Sequence, residues 1–449
     1  MTTTPPPQAV RARVGTLLLF LVNGMTFASL VPRYPEIKAS LTASQTVWGL
    51  AIGLGPLGGL ALGLAAARLM ARFGSRNVAI WPQLASTAAL ILLALAGHIG
   101  WVFVAMILMS AFDALTDIAM NYQGLRVQNL YRRSIINTFH GFWSVGAVAG
   151  GLIGSAMAQW RVSITSQALV TIVVLALVLV WSWSLMLPGR DADTADPSTP
   201  DSGPVSSPDG SSTPDAGPVP SPAGSEGHPD PALAAAGTSP ASPVGTSAIP
   251  ADQAARNRVP VPLGSWLRIV ALGLVGAVAG GIEIGGASWA PLYLNSAFTV
   301  TPFVAGLGFV GLMSAETLGR LTGDAIVNRF GQAVAVAQGS IVCLIGMIIS
   351  IAWPTPATAI LGFTAAGWGV ATIIPLAMDV ANRLPGVTDG LGLTVTSWLM
   401  RLGFMAFPVG IGALGDAVSL RWALVCLPAG AAVMLALVPL FRPIPADRR

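Results

Sequence analysis

The sequence predicts an all-α membrane protein of twelve spanning helices, built as two six-helix repeats. Three observations carry that prediction: twelve apolar runs of spanning length, a one-sided distribution of arginines, and a motif that recurs at a fixed offset. Of 449 residues only 9% are charged and 53% are hydrophobic, with a mean hydropathy of +0.71. A soluble domain carries about a quarter charged residues, so this chain cannot cover a soluble surface.

A bilayer core about 30 Å thick needs about 20 apolar residues in a helix that rises about 1.5 Å per residue. Such runs lie near 14–32, 47–67, 77–97, 101–121, 135–158 and 164–187, and again near 266–290, 303–325, 333–353, 357–380, 388–414 and 420–441. The stretch before the first run, Met1 to Arg13, is short, polar and Pro-rich. The run itself continues past Val31 without a small-residue cleavage site, so it reads as a membrane helix rather than a cleaved signal. Between the two sets of six, Pro188 to Pro262 is rich in Pro, Ser, Ala, Gly and Asp. It has too little apolar surface to offset its ordering entropy and is expected to be a disordered cytoplasmic linker. The expected divisions are an N-terminal half 1–187, a linker 188–262 and a C-terminal half 263–449.

With the N-terminus inside, the inner segments hold eighteen arginines, while the outer loops hold Arg33, Lys38, Arg161 and Arg421. Basic residues favour the cytoplasmic side, so both termini are expected in the cytoplasm of an inner-membrane protein. Arg72-Phe73-Gly74 recurs as Arg329-Phe330-Gly331, 257 residues on. The same offset carries the start of the first helix close to that of the seventh. Two parallel six-helix repeats with a site between them are a transporter design.

Other classes are excluded by what is missing. There is no P-loop, no His-Glu-x-x-His and no nucleophile elbow, so no enzyme is expected. No basic helix with interleaved aromatics points to nucleic acid. Cys343 and Cys426 sit in apolar runs away from histidines and read as small buried residues. No cofactor or metal is expected.

The Ala67 to Arg76 segment resembles the loop between helices two and three of the major facilitator superfamily, Gly-x-x-x-Asp-Arg-x-Gly-Arg-Arg. Arg72, Gly74 and Arg76 match it, while Ala67, Ala71 and Ser75 depart from it. A second copy surrounds Gly319-Arg320 and Asp324 to Gly331. Finer resemblance is to the bacterial inner-membrane branch near the fucose–proton symporters. Asp117-Ile-Ala-Met-Asn-Tyr-Gln-Gly124, Phe139-His-Gly-Phe-Trp-Ser144 and Gly319-Arg-Leu-Thr-Gly-Asp324 carry it. The resemblance implies a proton-coupled symporter of a sugar-like or small organic solute, working as a monomer, with an efflux carrier of the same fold as the alternative. It also implies cytoplasmic gate contacts at Arg72, Arg76, Arg320, Asp324 and Arg329, with Glu316 held by a nearby arginine. In helix five Gly150 is followed by Gly151, whereas drug–proton antiporters of the superfamily carry a proline after such a glycine row.

An ionised side chain at the bilayer centre costs roughly 2.5–3.5 kcal/mol on insertion scales, so charges retained there call for a use. Asp113, Asp117 and Asn121 are spaced four apart and share one helical face. The two carboxylates repel when both are ionised, so they are expected to share a proton. Either could match the fourth-helix proton site of the fucose symporters, or Asp117 could pair with Arg126 or Arg133. Glu283 follows Gly280-Gly281 in helix seven and could take a proton, bind a hydroxyl, or pair with Arg401. Arg401 keeps its charge and needs Glu283, Glu316 or an anionic cargo. His140 suits a proton relay or a simple hydrogen bond. Asn23, Asn121, Trp143, Trp289 and Trp398, with Trp368, are candidates for the polar and stacking contacts of a sugar-like site. The expected partners are a small solute, protons and the lipid bilayer.

Overall fold

The computed structural model describes residues 6–131, 135–188, 261–385, 387 and 391–442. The expected linker falls almost wholly outside them, as do Arg132, Arg133 and the last seven residues. The described residues form an all-helical bundle. Its spanning helices are α1 (Pro7–Ala28), α2 (Gln45–Gly63), α3 (Ser75–Ala94), α4 (Ile99–Tyr131), α5 (Ile136–Gln159) and α6 (Ile164–Leu185). The second set is α7 (Leu263–Ala297), α8 (Pro302–Phe330), α9 (Gln332–Ala352), α10 (Pro356–Asn382), α11 (Leu391–Ala417) and the shorter α12 (Leu420–Ala436). The twelve expected helices are thus all present, and eleven of them are long and apolar enough to cross a bilayer.

Local chemistry explains where they start and bend. Ser44 and Thr301 cap the N-termini of α2 and α8, accepting from the amides of Val47 and Val304 at 3.2 and 3.4 Å. Such caps satisfy donors that the first helical turn leaves open. The caps are 257 residues apart, which carries the repeat beyond the three-residue motif. Gly74 and Gly331 share the same offset and the same unusual backbone, φ 78° ψ 148° and φ 86° ψ 162°. That region is open essentially to glycine alone. Each glycine donates its amide to a carbonyl four residues back, Met70 or Val327, and turns the chain into the next helix. The preceding arginines match too, with Arg72 over Phe73 at 5.2 Å and Arg329 over Phe330 at 5.3 Å. Helix α2 breaks at Gly55-Pro56, and α3, α7 and α11 each hold an internal proline at Pro82, Pro291 and Pro408.

Within the N-terminal half, Gly146, Gly150 and Gly154 of α5 lie against the backbone of Leu21, Met25 and Ser29, with no room for a side chain. Small residues at this spacing let membrane helices approach closely. Among the described residues, the closest contacts between halves gather toward one end of the bundle. Gly49 and Gly53 of α2 touch the carbonyls of Pro408 and Met405 on α11, Gly412 touches the carbonyl of Gln45, and Gly151 and Ser155 of α5 meet Phe309 and Gly306 of α8. Asp416 closes this seam, its two oxygens accepting from the amides of Gln45 and Thr46 at 2.8 Å each. Further along the same helices the partners change. Gly58, Gly59 and Gly63 pack on α4, and Gly319 and Gly323 on α10, each within its own half. The bundle is therefore sealed at the face away from the chain termini and parted at the terminal face.

Candidate functional site

The N-terminal wall of the parted region is organised by Asn23 on α1. Its Nδ2 donates to Gln83 Oε1 and to Asp113 Oδ1, each at 2.7 Å. Its Oδ1 accepts from the Trp143 indole at 2.7 Å. Gln83 Nε2 donates in turn to Thr26 and Thr87 hydroxyls at 3.1 and 3.3 Å. Asn23 and Gln83 are buried, and the network uses both amides fully. Asp113 differs: protein surrounds it, yet its side chain is accessible, so it faces the cleft. Phe27, one turn beyond Asn23, stacks on Trp143 with ring centroids 6.2 Å apart and touches Phe309 of the other half at 6.4 Å. It forms the sealed end of the cleft.

The C-terminal wall carries a charge cluster. Arg320 on α8 pairs with Glu316 one turn earlier, and reaches Glu283 on α7 at 3.7 Å. Glu316 is buried. The expected pairing of Arg401 with Glu283 or Glu316 is corrected here: both carboxylates go to Arg320, because α7 and α8 are neighbours. Arg401 lies instead on the stripe of α11 that includes Met405 and Pro408, which turns it toward the N-terminal half. Its electrostatic neighbour in that half is Asp117. A second relation crosses the halves, where His140 on α5 lies within electrostatic reach of Arg320. His140 packs edge-on against Phe20 at 5.2 Å.

The other candidates fall in several places. Asp117 is buried and accepts from Asn121 Nδ2 at 3.0 Å, so the four-residue spacing holds but Asp113 and Asp117 serve different neighbours. Trp289 is fully buried beside Gly49 in the sealed seam, away from the cleft. Trp398 is one turn from Arg401 toward the terminal face and 57% exposed. Trp368 packs against Gly319 inside the C-terminal half. At the terminal face, Arg72, Asp324 and Arg329 are exposed, while Arg76 lies over the Trp183 ring at 4.5 Å in its own half. Arg126, offered as a partner for Asp117, donates to Ser75 and to the Pro188 carbonyl at 3.4 and 3.2 Å. Gln83, Thr26 and Phe27 are members of the site that the sequence alone does not single out. Gln83 had a signal, an amide next to Pro82 inside an apolar run.

Two six-helix repeats of spanning length, close-packed at one face and holding a charge cluster within the bundle, define a membrane transporter. The chain belongs to the Major Facilitator Superfamily, whose family model matches residues 16–388. It is 25% identical over 421 residues to an uncharacterized MFS-type transporter of Yersinia pestis, covering 93% of this chain and 92% of that one. Solved structures share the fold. A bacterial homologue of the human lysosomal transporter Spinster, inward-facing and unoccupied, superposes with a TM-score of 0.69 at 14% identity, covering 99% of this chain and 100% of that one. The nucleoside transporter NupG gives 0.64 at 12% identity, covering 98% and 100%. The Escherichia coli fucose:proton symporter gives 0.50 at 13%, covering 98% and 99%.

Proposed function

We propose that this transporter moves a small organic solute by alternating access coupled to protons, with both termini in the cytoplasm. The arginine excess on the terminal face supports that orientation, which makes the parted conformation inward-open. The observation that carries proton coupling is the Glu283–Glu316–Arg320 cluster. Two carboxylates around one guanidinium in a membrane interior leave one negative charge without a counterpart, and a single proton balances it. The cluster is also felt across the boundary between halves, since His140 of the other half lies within electrostatic reach of Arg320. Rocking of the halves changes that distance and so ties the proton to the conformation. Asp117 and Arg401, electrostatic neighbours from opposite halves, draw together when the terminal face shuts.

Symport is the sense of coupling that the three fucose-branch segments favour. In proteoliposomes with an imposed pH gradient, wild-type protein is expected to accumulate solute. Glu316→Gln, which mimics the protonated carboxyl, is expected to bind solute and lose the response to the gradient. Gradient-driven uptake that survives both Glu316→Gln and Glu283→Gln would refute the assignment.

A further inference from the structure

The sequence offers Asn23 and Trp143 as contacts for a sugar-like cargo, but their hydrogen bonds are already committed to one another, to Gln83 and to Asp113. Both Asn23 protons, its oxygen and the Trp143 N–H are used within the wall, and the Gln83 amide is likewise spent on Asn23, Thr26 and Thr87. A sugar needs several free donors and acceptors, because each unmatched polar group it buries costs about 1–3 kcal/mol. What this wall still presents is narrower. It is one carboxylate oxygen of Asp113 and the faces of Phe27 and Trp143.

Among the described residues Asp113 also has no ion-pair partner. The two arginines of the opposite wall are directed elsewhere, Arg320 to Glu316 and Glu283 and Arg401 toward Asp117. Among the described residues Asp113 bonds only to Asn23. Its carboxylate and the Trp143 ring are held by the two ends of one amide, so they lie side by side, with Phe27 stacked against the same indole. An unbalanced carboxylate next to accessible aromatic faces is the chemistry that binds an organic ammonium, through charge and through the negative faces of the rings.

We propose that Asp113, Trp143 and Phe27 form a cation subsite, and that the cargo of this transporter carries an ammonium or comparable organic cation. The inference rests on the transport reading above and reassigns Asp113 from proton coupling to cargo recognition, leaving protons to the Glu283–Glu316 pair. The chemistry also explains why Asn23 is buried behind Asp113: it orients the carboxylate without competing for the ligand.

The test is calorimetric titration of the full-length protein in detergent. The probes are choline, tetraethylammonium and phenyltrimethylammonium. The uncharged controls are 3,3-dimethylbutanol, the neutral isostere of choline, and fucose. At least one cation is expected to bind saturably and the controls are not. Asp113→Asn is expected to weaken that binding by roughly tenfold or more, and Asp113→Glu to recover part of it. Should Asp113→Asn fail to fold, Phe27→Leu against Phe27→Tyr carries the test, with binding weakened severalfold in the first and kept in the second. The proposal is overturned if none of the three cations binds, if a cation binds equally to Asp113→Asn, or if only the uncharged controls bind. Binding in detergent needs no pH gradient. Cation binding that persists in Glu316→Gln alongside unimpaired gradient-driven flux would therefore remove the coupling assignment and leave the cargo class standing.

Discussion

Asn23 is the side chain on which the N-terminal wall depends. Replacing it with leucine keeps the branched shape and removes three hydrogen bonds, leaving Gln83, Asp113 and the Trp143 indole without that partner. Unpaired buried groups cost about 1–3 kcal/mol each, so Asn23→Leu is expected to lower the melting temperature in detergent and shift Trp143 fluorescence. An unchanged melting curve would mean that water replaces the amide. Much of this site was visible residue by residue, because a polar or charged group inside an apolar run stands out. Asn23, Asp113, Glu283, Glu316 and Arg401 were all found that way. Their partners were not visible. Helical spacing places Asp113 and Asp117 on one face, but Asn23 and Asp113 are 90 residues apart in sequence, and only the packing of α1 against α4 joins them. For the same reason Arg320 displaced Arg401 as the partner of Glu283.

At the scale of elements, the hydropathy runs located the helices because lipid demands long uninterrupted apolar segments. They missed the ends. Helix α4 continues to Tyr131, about ten residues past the expected end, because Asn121, Gln123, Arg126 and Gln128 end the apolar run without ending the helix. The break of α12 between Ala423 and Cys426 is set by Pro428, which has no amide to offer the Leu424 carbonyl four residues back. The two glycine turns, by contrast, were legible as a repeated motif, and their backbone makes a sharp forecast. Gly74→Ala and Gly331→Ala each force an L-residue into a region essentially reserved for glycine, at a cost of about 1–3 kcal/mol. The two variants are expected to lose similar stability in thermal unfolding. A large loss in one and none in the other would show that the repeats are not mechanically equivalent there.

At the scale of the molecule, the sealed face is held by Asp416 of one half capping a helix of the other. Caps of this type contribute about 0.5–2 kcal/mol, and one or two kcal/mol moves an equilibrium by a factor of about 5–30. Asp416→Ala is therefore expected to shift the carrier toward the state open at the sealed face. Spin labels at exposed positions 68 and 328, in a background with Cys343 and Cys426 replaced, report it. Their short-distance population should grow, and an unaltered distance distribution would deny the cap its role. The opposite closure has its own signature. Exchanging charges in Asp117→Arg/Arg401→Asp is expected to restore transport that either single change abolishes, since the two are electrostatic neighbours from opposite halves.

The Glu283–Glu316–Arg320 cluster has a further, electrical side. With one proton it is neutral, and its movement through the bilayer crosses no net charge. Without that proton it carries one negative charge, and displacing it across the full field is worth roughly 2.3 kcal/mol per 100 mV. An interior-negative voltage then resists the deprotonated cluster facing inward and leaves the protonated one indifferent. The resting voltage of the cell becomes a second drive on the return stroke, and the turnover rate should steepen with hyperpolarisation even where the two solutions have equal pH.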